Sequence, residues 1–270
     1  MIQHFAAAGP HIEIKAEALF HLGPLAITNS MLLGVLGYAI VIAAFFYTVW
    51  ALKKGKKNKF VSLMSWGYES LYRQVEGIIG DKEKARRIAP LPIALFFIIL
   101  VNYWIGILPF VGPITLGGVP IFRGLMADMN TTFALAIITM VAVQLYAMKT
   151  HGFFGNVRRY LVNPLKDPIG SFVGILEIIA ELSRLVALSL RLFGNVFAGE
   201  VLLIMIGYMT SYAAGVALLP FMFFELFIGF IQAYVFFMLT AVFISLGLVS
   251  HGEHESDHSP AAPKLQAIDT

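Results

Sequence analysis

The sequence predicts an all-α polytopic membrane protein of about five to six helices, the last two long and strongly tilted, with an amphipathic interfacial helix besides. Three observations predict it. Hydrophobic residues fill 59% of the 270 positions and charged ones only 13%, where soluble chains hold about 45–50% and about 25%. The apolar residues gather in runs that reach the ~20 residues a bilayer core requires. Between Pro168 and Ser250 only six side chains carry a formal charge.

The first span is predicted over residues 25–52, and it ends in "KKGKKNK". "FVSLMSWGYESLYRQVEGIIG" follows, with apolar residues three and four apart, the pattern of an amphipathic helix lying at the interface. After the basic run "DKEKARR", a second span is predicted over 91–111, closing in the Gly/Pro-rich hairpin "PFVGPITLGGVP". A third is predicted over 132–148, with Asp128 before it as a helix N-cap rather than a proton carrier. From Ile169 two long helices share the rest, about 169–215 and 219–249, with Gly215 and Pro220 near the turn. At ~1.5 Å per residue the first measures roughly 70 Å, so it is either broken or steeply tilted in a core ~30 Å thick.

Basic residues concentrate in the 53–90 and 149–167 loops, while the 112–131 connection holds only Arg123. The positive-inside rule then puts both basic loops and the C-terminus in the cytoplasm and the N-terminus outside. Residues 1–24 read as a polar outer segment without the pattern of a cleavable signal, 25–250 as one membrane domain, and 251–270 as a disordered polar tail. The lysine run is a topology anchor with a secondary role in anionic-lipid contact. His251, His254 and His258 read as part of a solvated tail rather than a metal tract.

Several chemistries are excluded. There is no cysteine, hence no disulfide or thiolate site, and no Gly-rich phosphate loop. The net charge of +3 forms no basic soluble face for nucleic acid. No cofactor or metal is expected, and no catalytic cluster: the histidines lie in termini or loops, far in sequence from the buried carboxylates.

The polar residues of the last two helices are ordered. Glu177, Glu181, Arg184, Leu188, Arg191 and Asn195 are separated by 4, 3, 4, 3 and 4 positions, a narrow line along one helix. Glu200 falls on roughly the opposite side from Arg191. Glu225, Gly229 and Gln232 form a shorter line on the last helix, where Gly229 admits a close neighbour. A charge at mid-membrane costs about 2.5–3.5 kcal/mol on insertion scales, so these groups must face protein, water or one another. Carboxylates thus flank a guanidinium that does not lose its proton. Two carboxylate relays separated by a fixed cation form a pair of half-channels rather than a pore. Plainer readings stand beside this one: Arg191 as a buried structural arginine, and Glu177 and Glu181 as an interfacial cap softened by Arg184.

At "SLRLFGNVFAGE" and "ELFIGFIQAYVF", supported by "ADMNTTFALA", the sequence resembles the a subunit of rotary ATP synthases over roughly residues 25–250. The resemblance implies that Arg191 is the stator arginine that faces the ring of c subunits, exchanges with its carboxylate and prevents leakage. It implies that Asn195 and Gln232 hold water or orient that guanidinium, and that Glu200 and Glu225 relay protons from the outer side with Asn130 lining the same passage. Glu177, Glu181 and Arg184 fall where the family places the inner half-channel. It also implies b-type peripheral stalk subunits and the other ATP synthase subunits as partners besides membrane lipid, a bacterial cytoplasmic membrane as the location, and no catalytic site on the chain itself. The c-subunit face is expected on the stripe through Leu188, Arg191 and Asn195. The rival classes are a secondary transporter, for which no internal repeat is visible, and a membrane-embedded hydrolase.

Overall fold

The computed structural model of the chain describes residues 18–22, 25–56, 58–108, 111, 115–116, 119–152, 168–210 and 214–248. The histidine-bearing tail, most of the N-terminal segment and most of the second basic loop lie outside the described residues.

Local chemistry sets the boundaries. A short antiparallel pair, β1 (Ala18–Leu22) with β2 (Leu25–Thr28), precedes α1 (Asn29–Lys53). Residues 25–28 therefore belong to a strand rather than to the first span. Thr28 caps α1, its hydroxyl accepting from the Met31 amide at 3.4 Å. The amphipathic segment forms α2 (Lys59–Ile79), which buries Val61, Leu71 and Val75 and leaves Leu63 and Trp66 exposed. Asp81 caps the short α3 (Lys82–Ile88), and α4 (Pro90–Gly106) follows after a 40° bend with proline in its first turn, where no amide bond is lost. A second small hairpin, β3 (Thr115–Leu116) with β4 (Val119–Pro120), falls where the Gly/Pro-rich connection predicts one.

Asp128 caps α5 (Met129–His151), accepting from the Asn130 amide at 3.0 Å and from the Ser30 hydroxyl at 3.0 Å. It acts as the cap the sequence predicts, and it also ties α5 to α1. Then come α6 (Pro168–Thr210) and α7 (Ala214–Leu248). The last helix thus starts ahead of Leu219, and Gly215 and Pro220 lie in its first two turns, near the turn as expected. Proline is tolerated there because membrane helices re-satisfy a freed carbonyl locally. Helix α6 runs unbroken for 43 residues, about 65 Å at ~1.5 Å per residue. The broken-helix alternative is removed, and such a rod fits a ~30 Å core only at a steep tilt or with a long overhang.

Helices α1, α5 and α7 are long and apolar enough to cross a membrane, and the bent pair α3–α4 makes a fourth candidate. Helix α7 is the hub, packing on α4, α5, α6 and α2. Aromatic rings link the layers: Phe45 of α1 meets Phe97 edge-on at 5.1 Å, Phe97 meets Phe96 at 5.2 Å, and Phe96 meets Phe237 of α7 at 6.3 Å. Edge-to-face contact suits the ring quadrupoles. Around these rings Ile93, Ile99, Ala233 and Ala241 are buried. The result is a rigid α4–α7 wall, and α6 lies along it.

Candidate functional site

Helices α6 and α7 pack antiparallel. Gly207 faces Leu218, Gly199 faces Glu225, Asn195 bonds Gln232, and Arg184 lies over the Phe243 ring. The hairpin and the wall behind it place the polar residues in three groups.

The first group surrounds Glu225, which is only 3% exposed. The Tyr103 hydroxyl of α4 donates to Glu225 Oε1 at 2.5 Å. Two glycines make the approach possible. A methyl group at Gly229 would stand 2.5 Å from the Tyr103 ring, and one at Gly199 would overlap the Glu225 carboxylate itself. The neighbouring Trp104 indole donates to the Leu226 carbonyl at 3.0 Å, fixing α4 against this stretch of α7. A crevice of about 330 Å³ between α6 and α7 is lined by Asn195, Gly199, Leu202, Phe224 and Glu225. In that crevice Asn195 donates to Gln232 Oε1 at 2.7 Å. Asn195, Gln232 and Glu225 are therefore brought together by the packing of α6 on α7, which neither helix's own spacing specifies.

The second group pairs Glu200 with Arg123 at 3.9 Å, an ion pair longer than a direct hydrogen bond. The Arg123 side chain is 8% exposed and that of Glu200 33%. Gly199 lies against Glu225, so the Glu200 and Glu225 carboxylates lie within one turn of the same point on α6. Asn130 sits exposed in the first turn of α5, and no described contact joins it to Glu200 or Glu225.

The third group is the N-terminal end of the predicted stripe. Glu177, Glu181 and Arg184 are half-buried. The Gln144 amide of α5 donates to Glu181 Oε2 at 2.7 Å, and the Arg184 guanidinium lies 5.4 Å from the Phe243 ring centroid. Glu181 is thus held by a neighbouring helix, which a purely interfacial cap does not require.

Arg191 stands apart from all three. It is exposed, and among the described residues no hydrogen bond or ion pair engages it. The reading of Arg191 as a buried structural arginine does not hold. Its neighbours Leu188, Ser189 and Leu192 are buried, and Ser189 bonds Thr132 of α5 at 3.2 Å, so this turn of α6 is pinned on one side and open on the other. Leu188 corrects the expectation that it shares the exposed stripe: it is buried in the core. The helical period puts it ~60° round from Arg191, and the covering helices reach that far.

Two residues of these groups escape a reading of the sequence. Arg123 is visible there as the one basic residue in the 112–131 connection, which gives no sign of a partner. Tyr103 gives no signal beyond being a polar-tipped ring in an apolar span.

A family model described as ATP synthase A chain matches residues 31–245, the stretch that contains every group above. The chain belongs to that family. Among its relatives is ATP synthase subunit a of Acidothermus cellulolyticus, 30% identical over 233 residues, covering 85% of this chain and 80% of the relative. ATP synthase subunit a of Enterococcus faecalis is 30% identical over 243 residues, 86% of this chain and 96% of the relative. The counterpart in Stutzerimonas stutzeri is 31% identical over 235 residues, 83% and 80%. As a member of the ATP synthase A chain family, the chain is a membrane-embedded component of that complex, and its long apolar helices fit that place.

Proposed function

We propose that this chain is the stationary proton-conducting subunit of a rotary ATP synthase, offering two offset half-channels and a cation between them. The observation that carries the reading is Arg191: a guanidinium without a partner among the described residues, on an open face of a helix whose other side is pinned in the core. A permanent cation in a membrane segment needs a counter-charge, and the described residues do not supply one. The counter-charge is then a carboxylate of the rotating c subunits. The outer passage runs through Glu200 and Glu225 toward Asn195 and Gln232, with Asn130 at its mouth, and the inner one through Glu177, Glu181 and Arg184. The N-terminus lies outside in a bacterial cytoplasmic membrane, b-type stalk subunits hold the chain still, and ATP chemistry belongs to partner subunits.

The physics of the step is ion-pair exchange. Attraction between Arg191 and an ionised carboxylate is offset by the cost of taking both from water, so the contact is strong enough to select the charged form and weak enough to release it. One charge crossing 100 mV supplies about 2.3 kcal/mol. In inverted membrane vesicles carrying the complete complex, Arg191→Ala should abolish ATP-driven proton pumping while ATP hydrolysis by the detached soluble sector persists. Normal coupled pumping in that variant ends the reading.

A further inference from the structure

We propose that Tyr103 is a positioning residue of the outer passage, whose hydroxyl fixes the Glu225 carboxylate so that it can take protons from one side and give them up on the other. The proposal rests on the reading of Glu225 as a proton carrier. Its own observations are geometric. Tyr103 is among the most completely buried side chains, and its hydroxyl and Glu225 Oε1 lie 2.5 Å apart across 122 residues of sequence. Two positions without side chains, Gly199 on α6 and Gly229 on α7, make room for the carboxylate and the ring. A buried aromatic needing only to fill space would do so as phenylalanine, without a hydroxyl to satisfy.

The arrangement has a mechanical consequence. A carboxylate on rotatable bonds, with the crevice open beside it, can swing away from Gly199. The Tyr103 hydrogen bond holds one oxygen, while Glu225 itself lines the crevice shared with Asn195. The proton balance is simple. Glu225 accepts a proton from the outer side, Tyr103 keeps its own proton and donates the same hydrogen bond throughout, and Glu225 then releases its proton to water in the crevice. Tyr103 never ionises, and no net charge is left behind.

The test uses the complete complex in inverted vesicles, with pumping normalised to the amount of chain assembled. Tyr103→Phe keeps the ring against Gly229 and removes only the donor. Hydrogen bonds to charged groups contribute enough that its loss is expected to slow pumping roughly tenfold. In a Glu225→Gln background the same substitution should change the rate by less than about twofold, since the group it positions no longer carries a proton. Tyr103→3-fluorotyrosine, which alters donor strength at nearly constant shape, should change the rate when Glu225 is intact and leave it unchanged in the Glu225→Gln background. This second variant keeps the test decisive should Tyr103→Phe fail to assemble. Equal slowing by Tyr103→Phe in both backgrounds, or reduced assembly with an unchanged rate per assembled complex, overturns the proposal and makes Tyr103 a packing residue. Neither outcome bears on Arg191, whose own test stands separately.

Discussion

Two arginines of this chain stand in opposite circumstances. Arg123, from the connection before α5, is buried with Glu200 for a partner. Arg191, in the middle of α6, is exposed and unengaged among the described residues. Both are permanent cations, because a guanidinium keeps its proton under any ordinary condition. The first meets a carboxylate when the chain folds, at 3.9 Å and without a direct hydrogen bond. The second stays exposed on α6, and the proposed function makes its charge available to a partner subunit. Folding brings a carboxylate to the first cation, and under the proposed function assembly brings one to the second.

The comparison can be broken in order of expected effect. Loss of all pumping in Arg191→Ala is the largest, and if Arg191 behaved like Arg123 that variant would lose stability instead of function. Next comes Arg123→Ala, which strands Glu200. Removing one partner of a fully buried pair costs about 3–5 kcal/mol, and since Glu200 is partly exposed about 1–2 kcal/mol is the realistic range here. Lower thermal stability of the assembled complex and slower pumping are expected. Arg123→Ala with Glu200→Gln should regain most of the stability but not the rate, and a double variant as unstable as the single one would show that Arg123 acts through other neighbours.

A smaller effect is expected from Gly199→Ala. Alanine favours the helix by up to ~1 kcal/mol, yet its methyl group overlaps the Glu225 carboxylate. Pumping should fall severalfold with stability nearly unchanged, as measured by vesicle acidification against thermal unfolding. An unaltered rate would mean that the position of Glu225 does not matter. The smallest effect is expected at Arg184, whose visible contact is the face of Phe243. Its loss to alanine removes a cation–π contact of about 0.5–1 kcal/mol and one of the three groups proposed to line the inner passage, and should slow pumping about two- to threefold. A total loss there would place a second essential cation on α6 and blur the contrast with Arg191.

Much of the fold was legible in the sequence because lipid imposes simple rules. Long apolar runs marked the spans, basic clusters marked the connections, and Asp128 marked the start of α5 as a cap. Boundaries slipped where a local signal outran its context. The last helix was expected from Leu219 yet starts at Ala214, and Leu25 to Thr28 read as span, yet they pair with β1. The stripe on α6 was legible as an angle around an axis. What the angle faces was not, and Leu188 and Arg191, close in angle, ended one buried and one exposed.

By itself, then, the sequence determined that the chain lives in a membrane, which residues share a helix face, and that a guanidinium sits between two sets of carboxylates. It did so because helical period and the cost of burying charge act locally, residue by residue. Only the tertiary structure decided the partners: Tyr103 for Glu225 across 122 positions, Arg123 for Glu200, Gln144 for Glu181, and none among the described residues for Arg191. Those choices depend on which helices pack together and how closely glycines let them come, and no spacing along the sequence contains that distance.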